Sequence, residues 1–219
     1  MLLCLQNLCS PEEVTQLRQL AAESEYADGR KTAGWAAREV KRNEQVEAGP
    51  RIDTIRSLVR KALERNALFN SFAQPKSVTR MLVSRYTTGM EYGRHVDDAL
   101  MGGRRADLSF TLFLSDPDTY QGGELVMEGV EGETEIKLAP GEAVIYPTAS
   151  LHRVSEVTSG ERLAVVGWVR SLVRRPDQRE VLFDLDRVCR SLFEKSGKTE
   201  ELDVLLKTKS NLLRQWAED

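Results

Sequence analysis

The feature that most limits what this chain can fold into is a series of short segments, between residues 77 and 171, whose apolar residues recur at every second position. Such alternation is typical of β-strands that bury one face. Turn-forming residues such as Pro140-Gly141 separate the segments. Many short strands at this spacing predict a sandwich or barrel, and a jelly roll manages its sheet edges with two packed sheets. The segments are residues 77–86, 108–114, 123–127, 134–138, 143–146 and 162–169.

On the amino-terminal side of these segments the pattern is helical, and we predict helices through the first seventy-odd residues. Ser10 can cap a helix, Pro11 suits its first position, and Glu13 can close a capping box. Apolar residues then recur at helical spacing in two stretches, which predicts two helices that each bury one face. The inward positions are Val14, Leu17 and Ala21 in the first helix and Ile52, Ile55, Val59, Ala62 and Leu63 in the second.

The helical pattern returns after Pro176 and continues to the carboxyl terminus. Residues 196–199, with the sequence Ser-Gly-Lys-Thr, supply a break and a cap between two helices. Such a tail either packs on its own domain or makes a dimer, and both alternatives stay open at this point. The predicted inward stripes are Val181, Leu185, Val188 and Leu192 in one helix and Leu202, Leu205, Leu206, Leu213 and Trp216 in the other.

These patterns predict a mainly β protein with flanking helices (α+β), in which a jelly roll, or double-stranded β-helix, forms the core. A chain of 219 residues is most simply one domain. We expect residues 1–76 to form an N-terminal helical support packed on the core, residues 77–171 to form the core itself, and residues 172–219 to form a C-terminal helical extension.

Composition narrows the classes of partner. A net charge of -3 gives no general attraction for nucleic acid or for an anionic membrane surface, so neither is expected as a partner. Three cysteines without a close pair indicate neither a disulfide framework nor a zinc knuckle. The amino terminus lacks the basic region and the long apolar stretch of a secretory signal, and no segment has the length of a membrane span. We therefore expect a cytoplasmic protein, in a compartment where iron stays reduced.

The chain has only two histidines, His95 and His152, and Asp97 follows the first of them by two positions. Residues two apart in a strand point from the same face, so His95 and Asp97 can contact one ion. His152 from a later strand would complete the two-histidine, one-carboxylate set that binds non-haem iron(II) and leaves three adjacent positions open. The alternative is a pair of ordinary histidines, one exposed near a turn and one hydrogen-bonded in a half-buried strand.

Arg162 stands ten residues after His152, at the start of an apolar strand. A guanidinium that points inward from such a strand needs an anion, and its planar shape suits bidentate binding of a carboxylate. A surface salt bridge with Glu161 or Glu142 is the alternative. The first interpretation places a cationic anchor in the same pocket as the metal.

Several motifs, in order and at matching spacing, resemble the iron(II)- and 2-oxoglutarate-dependent dioxygenases, and most closely the bacterial PKHD-type hydroxylases, relatives of prolyl 4-hydroxylase. The likeness covers about residues 77–171, and residues 183–186 of the tail also resemble that subfamily. The motifs are Arg85-Tyr86, residues 92–97, 107–115 and 120–125, Gly141, Tyr146-Pro147, residues 151–154 and Gly160-Glu161-Arg162.

The resemblance implies roles for particular residues. It implies His95, Asp97 and His152 as iron ligands, Arg162 as the partner of the distal carboxylate of 2-oxoglutarate, and Tyr86 as a second cosubstrate contact. Trp168 matches an aromatic residue behind the metal, although a core tryptophan explains it equally well. Some branches of the superfamily carry a hydroxyl residue two positions after the arginine, whereas this chain has Ala164, so the carboxylate needs another partner such as Tyr86 or Thr111.

The reaction implied by the resemblance is hydroxylation of a substrate with O2, Fe(II) and 2-oxoglutarate, which releases succinate and CO2 and which ascorbate stimulates. Asp97 favours hydroxylation over halogenation, because related halogenases have a small residue at that position. The substrate, whether peptidyl, amino-acid or small-molecule, stays unidentified, and a link with iron acquisition is analogy only. A cupin-like metalloenzyme of another reaction class and a non-catalytic iron and 2-oxoglutarate sensor are the alternatives. Residues 98–105 are expected to cover the entrance.

Overall fold

The computed structural model of the protein describes residues 1–218 and contains five α-helices and sixteen β-strands in that range. The helices are α1 (Pro11–Ala22), α2 (Pro50–Arg65), α3 (Ala67–Ala73), α4 (Pro176–Ser196) and α5 (Glu200–Trp216). The first eight strands are β1 (Leu3–Leu5), β2 (Tyr26–Asp28), β3 (Lys41–Arg42), β4 (Glu44–Val46), β5 (Pro75–Thr87), β6 (Glu91–His95), β7 (Leu100–Met101) and β8 (Arg104–Arg105). The remaining eight are β9 (Leu108–Phe113), β10 (Gln121–Gly122), β11 (Leu125–Gly129), β12 (Gly132–Ile136), β13 (Ala143–Pro147), β14 (His152–Val154), β15 (Val157–Ser159) and β16 (Glu161–Ser171).

Two antiparallel sheets form the core, as the alternating segments predict. The larger sheet has the order β1-β13-β9-β16-β5-β4-β2, and the smaller has the order β12-β11-β14-β6-β3. A buried cluster joins their facing sides, with Tyr86 and Phe113 from the larger sheet and Leu125 and Met127 from the smaller. The mainly β architecture with flanking helices is therefore confirmed.

The N-terminal helices cover the outer face of the larger sheet. Leu17 of α1 and Ile55 of α2 are buried in one cluster with Val83 and Val165 of the sheet. The capping box is present, since the Glu13 amide donates to Ser10 Oγ and the Ser10 amide donates to Glu13 Oε2. All of the inward positions predicted for these two helices are buried.

The prediction of helices throughout the first seventy-odd residues was wrong for residues 24–49. This stretch contains two 3-10 turns and the strands β2, β3 and β4, and β1 precedes α1. β3 pairs with β6 of the smaller sheet, whereas β4 pairs with β5 of the larger sheet. The stretch thus crosses between the sheets and covers an edge of each, which leaves fewer backbone groups unpaired.

The C-terminal helical pair is present, but the stripe predicted for its first helix was wrong, and Leu206 of the stripe predicted for the second helix is exposed. Val181 and Val188 of α4 are exposed, whereas Leu182, Phe183 and Cys189 are buried. Phe183 meets Phe72 of α3 edge-on, with ring centroids 5.3 Å apart. This contact fixes which face of α4 turns inward, so the tail packs on its own domain. No helix within the described residues is both long and apolar enough to cross a membrane.

Candidate functional site

The strand register of the smaller sheet brings the two histidines together. β14 pairs with β6 so that His152 lies opposite His95, and the two ring centroids are 4.3 Å apart. Asp97 follows two residues after β6 ends, so it reaches the histidines from a loop and not, as the strand argument expected, from the strand itself. One ligand atom from each of the three side chains lies within 4.8 Å of the others.

Backbone carbonyls fix the tautomer of both imidazoles. His95 Nδ1 is 2.8 Å from the Gly93 carbonyl oxygen, and His152 Nδ1 is 3.0 Å from that of Ser150. A carbonyl oxygen can only accept, so each Nδ1 carries the proton and each Nε2 keeps a free lone pair. The two Nε2 atoms lie 3.8 and 3.9 Å from Asp97 Oδ1. Two nitrogen lone pairs and one carboxylate oxygen therefore face the same point.

The other oxygen of Asp97 is occupied by two donors. Ser109 Oγ and Trp168 Nε1 each donate to Asp97 Oδ2 over 2.8 Å. These bonds orient the carboxylate so that Oδ1 faces the histidines, as donors behind a metal ligand commonly do. Trp168 thus has a specific contact besides its place in the core. Sequence reasoning missed Ser109, which carries no local signal beyond its place in a strand.

Burial and neighbouring groups keep the first histidine neutral. His95 is buried, its ring stacks on Tyr92 with centroids 3.6 Å apart, and His152 lies beside it. Burial, followed by the neighbouring His152, lowers the pKa of His95 to about 4. The neutral imidazole is the form that binds a metal ion, so the site is prepared for a cation at neutral pH.

Arg162 points inward and lacks an ion pair among the described residues, which excludes the surface salt bridge. Only 1% of the residue is exposed, and its Nε has no hydrogen-bond partner. Its guanidinium lies 5.2 Å from the ring centroid of Tyr86 and 5.3 Å from that of Phe113. A buried guanidinium without a counter-ion is costly. The position suits a carboxylate from a bound molecule.

Tyr86 lies directly opposite Arg162 in the β5 and β16 pairing. Burial raises the pKa of Tyr86, so its phenol stays protonated and can donate a hydrogen bond. Thr111, the other suggested partner of the distal carboxylate, is also buried and lines the same cavity. Tyr146 joins them in the wall, and sequence analysis did not single out its hydroxyl.

The candidate metal ligands, Arg162, Tyr86, Thr111 and Tyr146 line one cavity between the two sheets, which is open to solvent. Within residues 98–105, β7 and β8 pair as a short hairpin, and Asp98 and Met101 reach the cavity wall. The donor set of two neutral imidazoles and one carboxylate fits Fe(II), and the unpaired guanidinium fits the far carboxylate of a dicarboxylic acid.

Comparisons of the sequence identify the family. Residues 81–170 match the 2OG-Fe(II) oxygenase superfamily, and residues 177–218 match the PKHD-type hydroxylase C-terminal domain. The chain is 67% identical over 219 residues to a PKHD-type hydroxylase of Maricaulis maris (strain MCS10), with all of both chains covered. The family resemblance seen in the motifs is therefore confirmed.

Solved structures with the same fold include two prolyl hydroxylases. A prolyl-4-hydroxylase of Pseudomonas putida superposes with a TM-score of 0.55 at 22% identity, covering 78% of this chain and 92% of that one. A prolyl hydroxylase of Trichoplax adhaerens, in complex with a hypoxia inducible factor oxygen degradation domain peptide fragment, gives 0.57 at 16% identity, covering 83% and 86%. These matches confirm the jelly-roll fold.

Proposed function

This chain belongs to the PKHD-type hydroxylases of the 2OG-Fe(II) oxygenase superfamily, and we propose that His95, Asp97 and His152 bind its iron and that Arg162 and Tyr86 bind its 2-oxoglutarate. The enzyme is a dioxygenase that uses Fe(II), 2-oxoglutarate and O2 to hydroxylate a substrate, with release of succinate and CO2. The observation that carries the residue assignment is the convergence of three free donor atoms within 4.8 Å of one another.

The chain's own residues supply binding and orientation. Bound iron supplies the activation of O2. The carbonyls of Gly93 and Ser150 hold the imidazoles with Nε2 toward the metal, and Ser109 and Trp168 hold the carboxylate. Arg162, which is buried in the cavity wall, would hold the distal carboxylate of 2-oxoglutarate. The buried positions of His95, His152 and Arg162 limit the access of water to the reacting groups.

The substrate class proposed is a peptidyl or amino-acid side chain or another small molecule. A peptide is the ligand in the complex of the prolyl hydroxylase from Trichoplax adhaerens, which has the same fold. Asp98 and Met101, within residues 98–105, line the cavity, where they would contact such a substrate. A cytoplasmic location, stimulation by ascorbate, no binding of nucleic acid, and the division of the chain at residues 76 and 171 stay predictions.

A homo-oligomer built through the C-terminal helices is the second part of the proposal. Five large apolar side chains of α4 and α5 are exposed, which supports an association through this surface. They are Val181, Val188, Phe193, Val204 and Leu206.

Succinate release tests the catalytic assignment. Purified protein is loaded anaerobically with Fe(II) and 2-oxoglutarate, and O2 is then added. We expect succinate and CO2 in equal amounts, and we expect His95→Ala, His152→Ala and Asp97→Asn to lose Fe(II) binding and turnover, because each removes one of three ligands. Asp118→Asn, on an exposed turn outside the cavity, is the matched control and keeps both.

The alternatives give other outcomes in the same experiment. Binding of Fe(II) and 2-oxoglutarate without succinate would favour the sensor. Binding of Zn(II) or Mn(II) with no dependence on 2-oxoglutarate would favour a cupin-like enzyme. Full turnover by His152→Ala would contradict the ligand assignment.

A further inference from the structure

Two cationic side chains in the cavity wall, besides Arg162, have no carboxylate partner in residues 1–218. Lys41 is only 5% exposed, and its Nζ donates to Thr32 Oγ1 over 3.1 Å and lies 4.8 Å from the ring centroid of Tyr92. Arg80 is half-buried and makes neither an ion pair nor a side-chain hydrogen bond with the described residues. Buried cations are normally paired with anions, so this part of the cavity wall is suited to bind an anion.

The two cations lie beside the proposed metal site and away from Arg162. Arg80 and Tyr86 share one face of β5 six residues apart, which is about 20 Å along a strand. Arg80 lies opposite Trp168, the residue that donates to Asp97. Lys41 lies opposite Tyr92, the residue whose ring stacks on His95. Arg80 and Lys41 therefore approach the three donor groups from the two facing sheets.

The charges of Lys41 and Arg80 lie close enough for Arg80 to affect the pKa of Lys41. Burial lowers the pKa of Lys41 to about 8, Asp97 opposes this effect, and the charge of Arg80 adds to it. At neutral pH the ammonium therefore stays charged. An anion bound between Lys41 and Arg80 would relieve their repulsion.

Charge balance indicates how much negative charge the ligand carries. The charged residues that line the cavity are Lys41, Arg80, Asp97, Asp98 and Arg162. With cofactors bound, Fe(II) and Arg162 balance Asp97 and the two carboxylates of 2-oxoglutarate. Lys41 and Arg80 then leave two positive charges, and the exposed Asp98 offsets one of them. One further negative charge makes the site neutral.

We propose that Lys41 and Arg80 bind a carboxylate of the primary substrate, so that the enzyme acts on an acidic substrate, such as a peptide in which an acidic side chain neighbours the hydroxylated residue. This inference rests on the proposed function, because the charge balance assumes bound iron and 2-oxoglutarate. A carboxylate fits better than a phosphate, because a second negative charge would lack a partner beside Asp97 and Asp98.

A pair of probes that differ in one charge tests the proposal without turnover. The protein is loaded with Zn(II) in place of Fe(II) and with saturating 2-oxoglutarate. Ligand-observed NMR then measures binding of the α-amides of N-acetyl-L-glutamate and N-acetyl-L-glutamine, and of inorganic phosphate. We expect the glutamate probe to bind at least about tenfold more tightly than the glutamine probe, as a charge-assisted contact would give.

Substitutions of Lys41 and Arg80 test whether these residues cause the preference for the glutamate probe. Lys41→Met and Arg80→Met should each reduce it, and the double variant should abolish it. Lys61→Met and Arg18→Met, which remove exposed cations from α2 and α1, should leave it unchanged. Arg80 is only half-buried, so Arg80→Met keeps the test valid if Lys41→Met does not fold.

The same measurements can also overturn the proposal. Equal binding of the two amide probes, including no detectable binding of either, overturns the proposal, as does a preference that survives the double variant. Tighter binding of phosphate than of the glutamate probe also overturns it. If the unaltered protein did not bind 2-oxoglutarate, the proposed function would be contradicted instead. Failure of the substrate proposal and failure of the proposed function are therefore distinguishable.

Discussion

At the scale of single residues, each proposed iron ligand is oriented through the polar atom that does not face the metal. Gly93 and Ser150 occupy the Nδ1 atoms of the histidines, and Ser109 and Trp168 occupy Oδ2 of Asp97. Such partners set the direction of the ligand and commonly change metal affinity by 10- to 100-fold when they are lost. The metal affinity of this site therefore depends on residues that sequence motifs do not identify.

Trp168→Phe tests this dependence. The substitution keeps an aromatic ring in the core but removes the indole donor to Asp97. We expect affinity for Co(II), measured by visible absorption titration, to fall about tenfold. Trp35→Phe is the matched control, because Trp35 is 85% exposed and lies on the surface. Equal affinities for the two variants would contradict the role assigned to Trp168.

At the scale of secondary-structure elements, one carboxylate links three helices through hydrogen bonds. Asp186 of α4 accepts from Ser71 of α3 over 2.8 Å, from Arg190 over 2.7 Å and from Lys209 of α5 over 2.5 Å. Burial alone would raise the pKa of Asp186, but hydrogen bonds from Lys209, Arg190 and Ser71 outweigh it and hold the pKa to about 2. The ionised form therefore stabilises the folded state.

Asp186→Asn should lower the free energy of unfolding by about 2 kcal/mol at pH 7. The folded pKa lies below the unfolded value of about 3.9, so the contribution is complete above that value and is lost as pH falls toward 2. Urea unfolding at pH 7 and at low pH measures the difference between the two proteins. Asp184→Asn, on the exposed side of the same helix, should cost little. A difference that is unchanged at low pH would exclude this role for Asp186.

At the scale of the whole molecule, sequence patterns predicted the β core and the meeting of His95 with His152. The β core follows from alternation, which is local, whereas the meeting of the two histidines was a hypothesis about strand pairing that the family resemblance supported. The short strands in residues 24–49 could not be predicted, because two or three residues carry no period and their positions depend on the sheet edges they cover. The stripe of α4 was misplaced because its buried face includes the polar residues Arg179 and Asp186, which an apolar pattern ignores.

The proposed homo-oligomer is tested by light scattering after size-exclusion chromatography. We expect a mass that is a whole multiple, at least twofold, of that of one chain. Phe193→Glu should shift it to a single chain, because it places a charge among exposed apolar residues of α4 and α5. Leu68→Glu, which changes an exposed apolar residue of α3, is the control and should leave the mass unchanged. A single-chain mass for the unaltered protein would refute the oligomer.

The most direct test of the central claim, that three converging ligands and Arg162 hold Fe(II) and 2-oxoglutarate in one cavity, is the visible absorption of the anaerobic complex. We expect a weak charge-transfer band that appears only with both components and saturates with 2-oxoglutarate. Arg162→Met should retain Fe(II) and develop the same band, but at about 30-fold higher 2-oxoglutarate, because a charge-assisted pair is lost. Absence of the band, or an unchanged 2-oxoglutarate requirement in Arg162→Met, would contradict the account.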